Sequence, residues 1–376
     1  MIYLDYAAST PVEEEVLDTF YNVTKKYYAN PNSSHKLGRE AKKIIDECTS
    51  SIAANLNVLP EEIIYTSGAS ESNNLAIKGI CERYKNRGKH ILISSLEHNS
   101  IVASVTAMQE LGFEVELIPV TKEGFIDIPQ LKKMLREDTI LVSVCSCDSE
   151  IGLKQPIEEI GEILKNYPNC FFHTDASQAI GKVSINYDLV DLITITPHKF
   201  YGLNGSGILV KKKSVSLKPQ IHGGKSTTIY RSGTPVLGDI VACAKALEIA
   251  LKKQEERYQY ILKLSEKMKK ELSKYEKVHI NNTVYSIPHT INFSVKGVKA
   301  LKIQEDLEKY NIYVSTKVSC CPIETPSKLV YALTKDKGLS SSSIRLSLSH
   351  LTKEEEIDEF LRVFDLIYKE YENGKI

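Results

Sequence analysis

Lys199 stands in the stretch TITPHKFYGLNG, directly behind a β-branched run, a proline and a histidine and ahead of a glycine-containing turn. A lysine so placed is either a solvated residue at a strand end or an amine kept reactive by its surroundings, able to condense with a carbonyl group. Other residues of chemical character stand at comparable places. TSGASESNN, residues 66–74, follows a strand-like run and opens a helix-like one with small and hydroxyl residues, Ala69 and Ser70 among them. The free N–H groups of such a helix start would receive an anion such as phosphate, although Ser and Gly are equally ordinary cap and turn residues. LEHNS puts His98 behind one apolar run, and FFHTDASQAIGK puts Asp175 at the end of another with Gln178 three residues on. A carboxylate behind a buried strand needs a cationic or N–H partner to offset its desolvation, or else caps a helix. Cys320 and Cys321, in VSTKVSCCPIETP, sit among Ser, Thr, Lys and Pro in loop-like sequence, where at least one thiol is expected to be accessible.

The elements that must position these residues follow from periodicity. Short β-branched runs alternate with amphipathic stretches: EIIYTS with ESNNLAIKGICERY, HILISS with NSIVASVTAMQEL, EVELIPV with IPQLKKMLRE, TILVSVC with PIEEIGEILKNY, and then CFFHTD. Strand and helix in turn predict crossover units and a mainly parallel sheet covered on both faces, in an α/β fold. LVDLITIT and SGILVKK add two strands around Lys199, and one long helical pattern runs from about Leu237 to Lys274. The remainder, with PHTINFSV, a helix near Lys299–Lys309, IYVST, SIRLSLS and a last helix, reads as a smaller α+β domain. A capping box Thr352-Lys-Glu-Glu355 is expected to open that last helix, whose Ile357, Phe360, Leu361, Phe364 and Ile367 form one apolar stripe. In open α/β sheets ligands collect at the carboxyl ends of the strands, which is where Lys199, Asp175, His98 and the TSGAS turn fall.

At 376 residues the chain suggests about two domains. Lys+Arg and Asp+Glu balance at 48 each, so no global field favours nucleic acid or an anionic membrane. The start MIYLDYAASTP carries no cationic segment leading into an apolar one, and no apolar run of membrane-spanning length occurs; a cytoplasmic location is the expectation. The eight cysteines show no C-x-x-C pairing, so neither a disulfide framework nor a zinc or other metal site is indicated.

Together these parts match the needs of pyridoxal 5'-phosphate (PLP): an imine lysine, an acid for the pyridinium nitrogen, an aromatic face for the ring and a helix start for phosphate. At this point the sequence resembles a known family. YLDYAASTP, NPNSSHKLGREA, TSGASESNNLAIKG, EHNSI, DASQAIGK, HKFYG, GG with RSGTP, and SIRLSLSHLTKEEEID run in order almost end to end. They resemble the cysteine desulfurases of the class V aminotransferase group, in the NifS/IscS-like branch of bacterial enzymes that supply sulfur for iron–sulfur clusters and related products. The resemblance implies PLP fold type I: a large domain over 12–255 with a seven-stranded, mainly parallel sheet between helices, and a small α+β domain from 1–11 and 256–376. It implies that Lys199 holds the cofactor through an imine, that Asp175 pairs with the ring nitrogen, that His98 stacks on the ring and that Gln178 reaches its phenolate oxygen. Ala69, Ser70, Thr196 and His198 would hold the phosphate, and Thr234 of RSGTP would contribute from the partner of a homodimer. Asn30 and Arg345 would place the carboxylate of L-cysteine, and Cys320 would take the sulfur as a persulfide for a sulfur-acceptor protein, with no direct nucleic-acid or membrane partner.

Several departures fall around this expected site. Where the family has NNE-[IT]-G the chain has DSEIG, so an asparagine on the cofactor oxygen becomes Ser149 and one hydrogen bond is expected to be weakened or rerouted. GHK has become PHK, the usual GG-[GQ]-Q-E loop reads GGKSTTIY, and [ST]GSAC reads TKVSCC. These changes keep two further readings open. One is a selenocysteine or cysteine lyase, or a specialised member of a biosynthetic or DNA-sulfur pathway; the other is a non-catalytic scaffold, against which the intact Lys199, Asp175, His98, Gln178, Arg345 and Cys320 argue.

Overall fold

The alternation of β-branched and amphipathic stretches becomes two sheets and a two-stranded pair in the computed structural model, which describes residues 1–316 and 325–372. The strands are β1 (Ile2–Tyr3), β2 (Ile63–Thr66), β3 (His90–Ser94), β4 (Glu114–Ile118), β5 (Thr139–Ser143) and β6 (Phe171–Asp175). They continue as β7 (Leu192–Ile195), β8 (Gly207–Lys211), β9 (Val278–Ile280), β10 (Thr290–Val295), β11 (Ile312–Tyr313) and β12 (Ser343–Ser347). The large sheet has seven strands in the order β2-β8-β7-β6-β5-β3-β4. Only β8 runs against its neighbours β2 and β7; every other pairing in this sheet is parallel, as expected.

Strands β3, β5, β7 and β8 are buried along their whole length because helices cover both faces. Successive side chains alternate between the two layers. Leu92, Ile208 and Val210 join the core on one face with Val16, Ile160 and Leu247, while Ile91, Ile93 and Leu209 join that on the other with Ile77, Ile80 and Ile101. Each such fully buried side chain contributes about 1.5–3 kcal/mol. Edge strand β4 has Glu114 and Leu117, on opposite faces, exposed, as a partly covered edge of the sheet allows.

The three-stranded antiparallel sheet β12-β10-β9 packs against helices Gln254–Leu272 and Glu354–Glu372. Its core gathers Ile291, Phe293, Ile344 and Leu346 with Leu264, Met268, Phe360 and Phe364, and also Ile2 and Leu4 from the start of the chain. Pairing of β1 with β11 in parallel ties that start down here. Of the expected stripe in the last helix, Ile357, Phe360, Phe364 and Ile367 are buried, and Leu361 is half-buried at its edge.

Two local expectations are corrected. The long pattern from Leu237 is two helices, Leu237–Lys252 and Gln254–Leu272, broken at Lys253 with φ −98° and ψ 5°. The first is buried almost throughout against the large sheet, whereas the second turns Ile261, Leu264, Met268 and Leu272 to the small one. The capping box is one residue out of register. Glu356 accepts from the Lys353 N–H at 2.9 Å, while the Thr352 hydroxyl accepts from the Ser349 N–H at 3.1 Å and fixes the preceding turn.

At Gly207, in β8, an added Cβ would lie 2.7 Å from Gly68 Cα and 2.7 Å from Thr66 Oγ1. This contact sets how closely β8 approaches the turn that opens helix Ala69–Tyr84. Gly207→Ala is expected to cost about 1–3 kcal/mol of stability by overpacking, measured by urea unfolding. A variant as stable as the parent would show that the turn yields freely.

Candidate functional site

The loops leaving the carboxyl ends of β3, β5, β6 and β7 face the start of helix Ala69–Tyr84 across a cavity of about 390 Å³. Ala69, Ser70, His98, Ser149, Asp175, Gln178, Thr196, His198, Lys199 and Arg345 all line it. Asn30 and Thr234 do not: both are exposed, and the Asn30 carboxamide oxygen accepts from the Asn32 N–H at 2.9 Å. Cys320 lies outside the described residues, as do Lys317 and Cys321.

Lys199 ends a short 3-10 turn, Pro197–Lys199, that follows β7. Its Nζ donates to the Ala7 carbonyl at 2.8 Å and the Ala8 carbonyl at 2.6 Å. Gln178 is buried and donates from Nε2 to the same Ala7 carbonyl at 2.9 Å. Two residues after the lysine, Tyr201 takes φ +67°, a region that bulky L-residues rarely adopt. Its N–H donates to Thr10 Oγ1 at 2.8 Å, and its hydroxyl meets Ser349 Oγ at 2.6 Å, so contacts at both ends over-determine the turn.

Asp175 and His98 are joined through two residues that carry no obvious signal of their own. Asn73 Nδ2 donates to Asp175 Oδ2 at 2.9 Å and to Ser100 Oγ at 2.9 Å. Ser100 Oγ in turn meets His98 Nδ1 at 2.9 Å, and the Ser100 N–H donates to the same nitrogen at 3.1 Å. An Nδ1 that accepts leaves the proton on Nε2, so the hydrogen bonds select one neutral tautomer. Burial lowers the His98 pKa, with Asp175 opposing and Lys199 reinforcing the effect, so the ring stays uncharged at neutral pH. The second oxygen of Asp175 accepts from the Ser177 N–H at 2.9 Å. Asn73 is helix-internal and Ser100 helix-initial; a polar side chain turned to the sheet side of helix Ala69–Tyr84 was the one available clue to the first.

The opposite end of the cavity is built for an anion. Gly68 precedes the helix with φ +150°, leaving its first N–H groups open. Glu71, in that first turn, would oppose an anion, but Arg231 Nε donates to its carboxylate at 2.9 Å and the Ser67 N–H at 2.7 Å. Burial acts upward on the Glu71 carboxyl, yet these partners hold it below its ordinary pKa. His198 is pushed down to about 4 by burial first and by Lys199 and Lys182 after it. Thr196 Oγ1 lies 2.9 Å from His198 Nδ1 and 3.1 Å from the Ser206 carbonyl. The Ser206 carbonyl can only accept, so it takes the single hydroxyl proton, and Thr196 Oγ1 accepts from His198 Nδ1–H.

Arg345, from β12, is 1 % exposed and closes the cavity from the side of the small sheet. Its Nη2 pairs with Asp5 Oδ1 at 2.7 Å, and its Nη1 donates to the Ser149 carbonyl at 2.8 Å. Ser149 thus enters the site through its backbone. Asp148 holds that loop by accepting the N–H groups of Glu150, Ile151 and Leu153 at 2.7, 2.8 and 2.5 Å. Two buried polar atoms at the cavity, Arg345 Nε and Ser177 Oγ, have no partner among the described residues. A flat, phosphate-bearing ligand with an aldehyde fits this set: an amine at one edge, a carboxylate and an uncharged imidazole along the middle, and N–H and hydroxyl donors at the far end.

Comparison with known proteins follows the same lines. A family model described as "Aminotransferase class-V" matches residues 2–360. "Cysteine desulfurase IscS" of Dictyoglomus turgidum is 37 % identical over 371 residues, covering 97 % of this chain and 94 % of that protein. Among solved structures, a "NIFS-LIKE PROTEIN" superposes with TM-score 0.92 at 32 % identity, covering 98 % of this chain and 99 % of its own. A structure described as "SspA in complex with cysteine" gives TM-score 0.81 at 29 % identity, covering 93 % and 99 %.

Next to His98, Glu97 is half-buried. Its Oε1 accepts from Ser94 Oγ at 2.5 Å and from the Cys145 N–H at 2.7 Å. Burial raises its pKa to about 8. The folded state therefore keeps a proton that the unfolded chain releases from about pH 4.5 upward, and stability is lost as pH rises from there through about 8. Between pH 5 and pH 8, Glu97→Gln is expected to lose roughly 2 kcal/mol less unfolding free energy than the parent, compared by urea titration. Equal losses would mean that Glu97 is ionised in the folded protein.

Proposed function

The chain belongs to the aminotransferase class-V family, and from that membership and the cavity at Lys199 we propose that it is a PLP-dependent cysteine desulfurase, converting L-cysteine to L-alanine. The observation that carries this reading is the convergence of Lys199, Asp175, His98, Gln178 and Arg345 on one cavity. When bound, PLP supplies an aldehyde for the amine and a ring that accepts electrons from the substrate Cα.

The protein's own groups supply the rest. Lys199 Nζ, held at the Ala7 and Ala8 carbonyls, would be the amine that holds the cofactor and could carry a proton to or from the substrate. Asp175 would sit at the ring nitrogen, and Asn73 and the Ser177 N–H fix its two oxygens. The neutral His98 offers its face to the ring and its Nε2–H to the reacting side. Ser70, Ala69, Thr196 and His198 take the phosphate. Arg345 suits the substrate carboxylate because a guanidinium whose Nη groups are already oriented by Asp5 and Ser149 cannot swing away.

In the overall reaction a thiol R–SH and the substrate HS–CH2R' become R–S–SH and CH3R'. One sulfur–sulfur bond forms, one carbon–sulfur bond breaks, and the substrate carbon is reduced as the sulfurs are oxidised. Cys320 is the proposed thiol, and delivery of its persulfide sulfur to an acceptor protein is the proposed purpose, in iron–sulfur cluster or related biosynthesis. The reading also includes a large unit over 12–255, a small one from 1–11 and 256–376, and a homodimer in which the exposed Thr234 completes the phosphate site of the partner, with Asn30 at the substrate. No helix among the described residues is long and apolar enough to cross a membrane; a cytoplasmic enzyme is the proposal.

Purified protein with PLP is expected to be yellow, and borohydride is expected to fix the label on Lys199. Lys199→Ala should lower alanine formation by about three orders of magnitude or more. A parent protein that takes up no PLP would refute the assignment.

The two adjacent thiols separate by a second measurement. Cys320→Ala is expected to keep PLP and still bind cysteine, yet form no persulfide and little alanine, whereas Cys321→Ala keeps substantial alanine formation. Turnover that survives both substitutions would instead indicate a lyase releasing sulfur directly.

A further inference from the structure

Lys182 has no part in the roles above, yet it is buried, with 9 % of its surface exposed, and its Nζ donates to Gln178 Oε1 at 2.5 Å. The residues after β6 coil tightly: Ile180 N–H donates to the Ala176 carbonyl at 3.0 Å, and Val183 N–H to that of Ala179 at 3.0 Å. Gly181 takes φ +74° just before the lysine, so the coil is irregular there and Lys182 is placed beside Gln178 by the observed contact, not by helical spacing. An added Cβ at Gly181 would meet Ala250 Cβ at 2.8 Å, so a larger residue would push the lysine's turn out of place.

A glutamine amide has two unlike ends, an oxygen that only accepts and a nitrogen that only donates. Which end faces the cavity is decided by what bonds the other. An amine or ammonium on Oε1 leaves Nε2 on the remaining side, where one hydrogen goes to the Ala7 carbonyl and a second is left to donate. We propose that Lys182 is the positioning residue for Gln178, fixing its amide so that the N–H end is presented to the ligand. The inference rests on the PLP reading, in which Gln178 donates to the ring phenolate.

The surroundings of Lys182 agree with this function. It lines a small internal cavity of about 10 Å³, the room of one water, together with Lys199, Thr10 and His289. It also lines a cleft of about 560 Å³ whose lining includes Lys154 and Glu255. Burial, then Lys199, lowers the Lys182 pKa to about 7, opposed by Cys147 and aided by Arg345. A neutral lysine amine still donates, so the hold on Oε1 persists on either side of that value.

The test compares parent, Lys182→Met, Lys182→Arg and Gln178→Met proteins, and the double Met variant, as full chains, with retention measured at pH 8.5, where loss of the lysine charge has little weight, and the visible band followed through a pH titration. Retention of PLP by each protein and the pH midpoint of its bound visible band are the readouts, with melting of the PLP-free protein as the measure of general damage. Lys182→Met is expected to weaken PLP retention about tenfold, the worth of one hydrogen bond, and to raise the midpoint, because a phenolate without its donor favours the protonated imine. Lys182→Arg should recover both, and Lys182→Met should add little in the Gln178→Met background. A folded Lys182→Met protein with parental retention and midpoint, or full additivity with Gln178→Met, overturns the proposal while leaving the PLP reading intact. A parent protein without PLP uptake overturns both. If Lys182→Met does not fold, Lys182→Gln, which ends too short to reach Oε1, carries the same comparison.

Discussion

The carbonyl of Ala7 is the point on which this site turns. A buried amine and a buried amide both need an acceptor, and Lys199 Nζ and Gln178 Nε2 use the same one, at 2.8 and 2.9 Å. That acceptor belongs to a turn, closed by the Ala8 N–H on the Asp5 carbonyl at 2.9 Å, with no helix or strand of its own, so its position must be fixed from outside. The Ala7 N–H donates to Ser347 Oγ at 2.8 Å, the Ser347 N–H donates to the Leu4 carbonyl at 2.7 Å, and Asp5 pairs with Arg345. Further along, the Thr10 hydroxyl donates to the His198 carbonyl at 3.0 Å. The first ten residues thus lace the large sheet's catalytic edge to the small sheet, and the lysine's environment depends on both.

Desolvation drives the chemistry of the rest of the cavity. Removing water from His98 and His198 disfavours their charged forms, and a nearby lysine acts in the same direction on each. The carboxylates are treated differently according to their partners. Asp175 receives two donors and Glu71 an arginine, whereas Glu97 accepts through one oxygen only and is driven toward its protonated form. One cavity therefore combines uncharged imidazoles with an Asp175 side chain held by two donors, a combination that suits an electron-accepting ring and an anionic phosphate.

The sequence departures take on a definite shape in this setting. The DSEIG loop has its own internal support, since Asp148 gathers three backbone N–H groups, and Ser149 acts through its carbonyl on Arg345. The substitution at Ser149 therefore leaves the guanidinium's orientation to the backbone, which any residue at that position could supply. PHK places proline at the head of the short turn that ends in Lys199, where its fixed φ and missing N–H are compatible with the start of a helical turn.

Much of this was legible in the residues alone. The α/β class and the order of strands and helices followed from periodicity, because a two-residue alternation and a helical one are imposed by backbone geometry wherever one face is buried. Ten of the expected site residues, Lys199 and Asp175 among them, converge on one cavity because strand ends in a parallel sheet share an edge. The helix break at Lys253 and the one-residue shift of the cap beyond Thr352 were not legible, since the local sequence there satisfies either geometry and packing against two separate cores made the choice. Nor were Ala7, Asn73, Ser100 and Lys182. Ala7 and Asn73 act through partners 192 and 102 residues away, and hydrogen bonds of that reach exist only once the chain has folded, while Lys182 and Ser100 act on near neighbours that only the folded backbone aims at them.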